Sequence, residues 1–218
     1  KPWYDATFKL TSDVTRDYFH FLLLTGLRRT EAATIKWEHI DRLNKTVTLP
    51  KTKNGCVHIL PLTQPLLHIL DNREHVRINE YVFGRDTHRG HLHDPTTATL
   101  RMEDFCGVKF SLHDLRRTFI TIAESLDIPA YALKRLLNHK NPNDVTEGYI
   151  VPNIERLRKP MQLISDYIMK IVNRDDEPRI IPITANHALA SDQLKSRDNT
   201  SGKPEIYLLP NSKRSSIQ

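Results

Sequence analysis

The sequence predicts a mainly α-helical fold with one small antiparallel β-ribbon, in the α+β class, and three observations carry that expectation. Apolar residues recur at three- and four-residue spacing in most segments between Thr11 and Val172. One stretch, "KTVTLPKTKNGCVHILPL", instead alternates β-branched and polar residues around Asn54-Gly55, the strongest short hairpin signal. A chain of 218 residues with 39% hydrophobic content can also bury a sizeable core.

The elements follow in order. From Thr11 to Leu24, Phe19, Leu22 and Leu23 recur at helical spacing, giving an amphipathic helix that ends near Thr25-Gly26. A short helix is expected over Arg29–Ile35, then the ribbon, then a helix over Thr63–Asp71. "HRGHLHDPTTATL" reads as a polar connection. "SLHDLRRTFITIAESL" opens on a Ser-x-x-Asp cap, so a helix starts near Leu112 with Phe119, Ile122, Ala123 and Leu126 as apolar positions. Asp127-Ile128-Pro129 restarts the chain into a helix through Leu137, and "NIERLRKPMQLISDYIMKIV" resumes a helical period across Pro160. Pro, Ser, Asn and charge then dominate. Residues 1–172 are therefore read as one domain, and 173–218 as a tail carrying the apolar islets "RIIPIT" and "EIYLLP".

Composition narrows the partners. The chain has 32 Lys+Arg against 26 Asp+Glu, a formal net charge of +6, and this favours a polyanion through long-range attraction. Cys56 and Cys106 lie far apart without a CxxC spacing, so neither a disulfide framework nor a zinc knuckle is implied and a reducing compartment fits. No stretch approaches the ~20 apolar residues of a membrane span, and "KPWYDATFKL" lacks a signal-peptide core. The expectation is a cytoplasmic protein without a membrane partner, and the missing initiating Met reads as a piece of something longer.

Four places concentrate groups suited to phosphate. In "TGLRRTE" a glycine ends a helix, and Arg28 follows with Glu31 three residues on. In "KTKNGC", Lys53 stands beside a tight turn, two residues after Lys51. In "HDLRR", His113 and Arg116 share a face in the first turn of a capped helix, near its free amides and positive dipole end. Last comes "LLNHK" with His139, and Tyr149 ten residues beyond it.

These boxes resemble the catalytic domain of the tyrosine recombinases, the phage integrase family. "TGLRRTE" is similar to the family's first arginine box, implying Arg28 and a supporting Glu31. The ribbon resembles its β-hairpin, and the position eight residues before the proline of "LPL" selects Lys53. "HDLRRTF" matches the second box, picking out His113 and Arg116 with Arg117 as a neighbour. "LLNH" resembles Leu-Leu-Gly-His with Asn138 in place of glycine, and supplies His139. The family's nucleophilic tyrosine falls at Tyr149. The match runs from about Thr11 to Tyr149, and the family's amino-terminal core-binding domain is not in this chain.

The resemblance implies cleavage and rejoining of double-stranded DNA through a 3′-phosphotyrosine. A phenol of pKa about 10 needs a proton acceptor, which His113 would supply. Guanidinium forks from Arg28 and Arg116 match the charged non-bridging oxygens, and His139 would add a hydrogen bond. Lys53 would protonate the leaving 5′ oxygen. Glu31 would orient an arginine or histidine. No metal or cofactor is implied, because the arginines hold the phosphate charge. Four protomers exchanging strands through a Holliday junction, DNA-bending accessory proteins, and a tail passed to the adjacent protomer are further implications. Lys51, Arg117, Lys134 and Arg135 are the candidate DNA contacts.

Three other readings stay open on the residues alone. "TIAESLDIPAYALKRLLNHK" with Lys134 and Arg135 can be read as a helix-turn-helix. A type IB topoisomerase shares the chemistry, although the "LLNH" box and compact size favour a recombinase. A metal-dependent nuclease could use His88, His91, His93 and Asp94.

Overall fold

The computed structural model describes residues 1–50, 52, 57–139 and 153–174. Lys51, Lys53, Tyr149, the Asn54-Gly55 turn and all of the tail beyond Arg174 lie outside the described residues. Residues Lys1–Glu177 form one compact unit.

Helix α2 (Asp13–Thr25) is the centre of that unit. Ser12 caps it by accepting the amide of Thr15, which sets its start two residues later than periodicity alone suggests. From Tyr18 to Thr25 every residue is buried, because other helices cover α2 from several sides: α4 (Gln64–His75), α6 (Leu112–Ser125) and α8 (Glu155–Val172). Phe19, Phe21 and Leu22 on α2 meet Leu66 and Leu70 on α4, Phe119 on α6 and Ile164 on α8 in one core. Each such side chain contributes about 1.5–3 kcal/mol by leaving water. Pro160 lies inside α8, and the buried row Leu157, Met161, Ile164 and Ile168 holds the helix across it.

The ribbon is borne out as a three-stranded antiparallel sheet in order, β1 (Ile40–Asp41), β2 (Thr46–Leu49) and β3 (His58–Pro61). Its register pairs Val47 with Leu60 and Leu49 with His58, so these four share the buried face, while Ile59 opposite Thr48 is outward.

Helix α1 (Pro2–Thr7) and the start of α5 (Thr96–Cys106) differ from the expectation. The polar connection ends at Asp94, whose carboxylate takes the amide of Thr96 and turns the chain into α5. Thr-rich residues 96–99 are weak helix formers and masked that start. Packing on α1 and full burial of Met102 stabilise the helix instead. Among the described residues, no helix is long and apolar enough to cross a membrane.

Candidate active site

The site begins where α2 stops. Gly26 caps the helix at φ +63, and a Cβ there would lie 2.7 Å from the Phe119 ring. Only glycine gives both the left-handed turn and the close approach to α6. Two residues later Arg28 precedes α3 (Arg29–Ala33). Glu31 takes the Arg28 backbone amide at 3.1 Å and its guanidinium at 2.8 Å. The carboxylate is buried and the arginine side chain only partly so, which leaves Arg28 one face toward solvent.

Arg116 comes from the first turns of α6, where the Asp114 carboxylate receives both the amide and the hydroxyl of Ser111. The residue is 4% exposed, and its guanidinium donates to the carbonyls of Gly26 at 2.5 Å and Leu137 at 2.9 Å. Those carbonyls sit at the ends of α2 and of α7 (Ala130–Leu136), where backbone oxygens lack partners along the helix. Nη2 also meets His139 Nε2 at 2.8 Å. Arginine only donates, so Nε2 accepts and the His139 ring proton is assigned to Nδ1. Burial, then the charge of Arg28, pulls Arg116 down to about 10, so it remains a cation at neutral pH. Lost solvation, then the charges of Arg116 and Arg28, hold His139 below the ordinary histidine value.

The expected residues Arg28, Glu31, Arg116 and His139 thus converge from three helix ends. His113 is exposed in the first turn of α6 and, among the described residues, makes no hydrogen bond to this cluster. Arg117 pairs with Asp114 at 3.2 Å, Lys134 is exposed, and Arg135 lies over the Tyr131 ring.

One neighbour was not foreseen. His58 is buried on β3, Nε2 donates to the Arg135 carbonyl at 3.0 Å, and burial pushes its pKa down to about 4. Glu31, Arg116 and Arg28 all lie near enough to act on its charge. The alternation of "VHIL" already sets His58 on the Leu60 face, a signal that would have marked it as inward. Beside it a cleft of about 300 Å³ is lined by His58, Tyr131, Asn138, His139, Asn153 and Leu157. His139 and Asn153 are the residues that bracket the segment 140–152 containing Tyr149.

Of the four residues of the nuclease reading, His91 and His93 lie with ring centroids 6.4 Å apart, and each of the others has its own neighbour. His91 packs edge-on to Tyr81, His88 meets Arg89, and Asp94 accepts the Thr96 amide just before α5, while among the described residues no three His, Cys, Asp or Glu side chains are grouped as a metal site requires.

Two arginines near each other at helix ends, on a mainly helical scaffold with a three-stranded sheet, define the described site. The model of the phage integrase family matches residues 6–156, and the chain belongs to that family, as the motif resemblance implied. Prophage integrase IntF of Escherichia coli (strain K12) is 29% identical over 175 residues, 78% of this chain and 37% of the relative. The integrase of Shigella phage Sf6 is 25% identical over 154 residues, 67% of this chain and 40% of the relative. The chain therefore spans well under half the length of these two relatives. Among solved structures, the integrase from mycobacterium phage Brujita superposes with a TM-score of 0.54 at 20% identity, covering 73% of this chain and 55% of that one. A lambda integrase dimer bound to a COC' core site gives 0.52 at 19% identity, covering 65% of this chain and 55% of that one. A lambda integrase tetramer bound to a Holliday junction gives 0.51 at 20% identity, covering 66% of this chain and 45% of that one. These likenesses bear out the expected fold class.

Proposed function

We propose that this chain is the catalytic part of a site-specific DNA recombinase that cuts and rejoins double-stranded DNA through a 3′-phosphotyrosine at Tyr149. The observation that carries the reading is the convergence of Arg28 and Arg116, one braced by Glu31 and the other by two helix-terminal carbonyls and His139. Two guanidinium groups on one site suit the two non-bridging oxygens of a phosphodiester.

The Tyr149 oxygen attacks phosphorus, the bond to the 5′ oxygen breaks, and the tyrosine proton passes to His113 as base. Lys53 gives its proton to the departing 5′ oxygen, which would otherwise leave as an alkoxide. Arg28 and Arg116 hold the charge that gathers in the transition state. The phosphate displaces His139 from Arg116 and takes a hydrogen bond from the ring. Rejoining is the same sequence reversed, with a new 5′ hydroxyl as nucleophile, and needs no ATP because the phosphotyrosine keeps the bond energy.

Strand exchange by four protomers through a Holliday junction, in the integration or excision of a mobile element, extends this reading to the intact protein. Accessory DNA-bending proteins and contacts from Lys51, Arg117, Lys134 and Arg135 belong to the same proposal. The test is incubation with a nicked suicide duplex in EDTA. The reading expects a covalent protein–DNA adduct with a free 5′ hydroxyl, lost in Tyr149→Phe. An adduct that survives in Tyr149→Phe, or one that needs a divalent ion, overturns it.

A further inference from the structure

The family pattern places glycine where this chain has Asn138, and the backbone explains only half of the exchange. Asn138 sits at φ 50, a left-handed turn that asparagine tolerates and glycine would serve as well. Its side chain does something glycine cannot. Nδ2 donates to the hydroxyl of Thr52 at 2.8 Å, 86 residues away in the chain.

Thr52 is 6% exposed, and one peptide bond further along is Lys53. On the other arm of the same ribbon His58, paired with Leu49, donates to the Arg135 carbonyl at 3.0 Å. Both arms of the β2–β3 connection are therefore tied to one short stretch, Arg135–Asn138, at the end of α7. That stretch also offers the Leu137 carbonyl to Arg116 and leads directly into His139.

The geometry points to Asn138 as a positioning residue that fixes Thr52, the chain neighbour of Lys53, relative to Arg116 and His139. This rests on the recombinase reading above, with Lys53 as the acid that protonates the leaving 5′ oxygen. The reacting atoms never meet Asn138. Its effect is to hold Thr52, the residue before the proposed proton donor, against the turn that also braces Arg116, and small misplacements of reacting groups cost up to about 10²-fold in rate.

The experiment measures single-turnover adduct formation by the full chain on a suicide duplex, with oxygen or sulfur at the bridging 5′ position. Sulfur leaves as a thiolate and needs no acid. Asn138→Gly keeps the left-handed turn, Thr52→Val is isosteric without the hydroxyl, and the double variant and Lys53→Ala complete the set. Asn138→Gly and Thr52→Val are each expected to slow cleavage of the oxygen substrate by roughly 10- to 100-fold, with the double variant no slower than the slower single one. Sulfur should restore most of the rate in all of them, as in Lys53→Ala. Unchanged rates, multiplying losses, or a loss that sulfur does not relieve while Lys53→Ala is relieved would overturn the proposal alone. No relief of Lys53→Ala removes the acid assignment and the proposal with it, and no adduct from the parent chain removes the recombinase reading.

Discussion

Arg116→Met separates the two kinds of work that one buried guanidinium performs. Burial and the Arg28 charge pull Arg116 from the ordinary guanidinium value to about 10, so keeping it charged costs the fold roughly 3 kcal/mol. Methionine, of similar length, recovers that cost and fills most of the same space. It also leaves the carbonyls of Gly26 and Leu137 without their donor, at about 1–3 kcal/mol each when buried. About 3 kcal/mol recovered against about 2–6 lost leaves a balance between a gain of about 1 and a loss of about 3 kcal/mol. The chemistry has no such compensation, because a preorganised donor at the transition-state oxygens is worth about 10²–10³ in rate. Urea denaturation followed by circular dichroism gives the stability, and single-turnover adduct formation gives the rate. A variant that loses more than about 5 kcal/mol would show that the carbonyl bonds, not the buried charge, dominate the balance. A variant that folds and cleaves within about threefold of the parent would take Arg116 out of the reaction.

Three further outcomes are expected. His20 and His58 are neutral in the fold, their pKa values pushed by burial to about 3 and about 4, below the unfolded value of about 6.5; the unfolded chain therefore takes up protons first, stability is full above about pH 6.5 and falls toward pH 4, by about 2 kcal/mol per histidine between about pH 7.5 and 5. Urea midpoints at the two pH values check this, His20→Gln should remove its share, and a flat profile contradicts it. Gly26→Ala, with a Cβ 2.7 Å from the Phe119 ring and a left-handed φ of +63, should cost about 2–4 kcal/mol and slow cleavage by moving the carbonyl that holds Arg116; an unchanged melting temperature argues against both. Truncation after Val172 should sharply lower strand exchange by the complete recombinase while single-site DNA binding stays close to the parent's, and equal recombination by both forms would leave the tail without a role in assembly.

How far the sequence could be read depended on the range of the interactions involved. Helix α2 and its end at Gly26, the Ser111–Asp114 cap of α6 and the ribbon are written in residues close in the chain, so periodicity, capping and turn chemistry found them. Helix α5 was obscured because its first residues have weak propensity and Met102 supplies the buried anchor. Arg28, Glu31, Arg116 and His139 were legible as boxes, but nothing local says that the Gly26 and Leu137 carbonyls would brace Arg116 across 90 and 21 residues. His58 was missed for a related reason. Its inward face follows from alternation, yet its place beside the arginines depends on how α7 approaches the sheet.

The electrostatic balance of the described site bears on what it can hold. Arg28 and Glu31 form a pair whose charges cancel. His139 and His58 are both shifted toward the neutral imidazole. Arg116 is held by neutral carbonyls and a neutral ring, so within this cluster its positive charge has no carboxylate partner. The cluster therefore carries close to one net positive charge, and a phosphodiester, with one negative charge, balances it. In the reaction proposed above, the pentacoordinate state gathers a second negative charge on the same oxygens, and the further positive charge must come from a group that gains a proton or brings one. Burial, then the charges of Arg116 and Arg28, keep His139 below its ordinary value, and in the proposed reaction the phosphate that displaces it from Arg116 offsets the arginine charges and favours its gaining one. In the proposed reaction Lys53 brings one and gives it to the leaving oxygen. A site with both histidines already charged, or with Glu31 absent, would bind phosphate more tightly in the ground state and so gain less between ground and transition states. The buried, partly uncompensated arginine costs the fold stability, and that cost is what reserves the site's attraction for the charge that develops during the reaction.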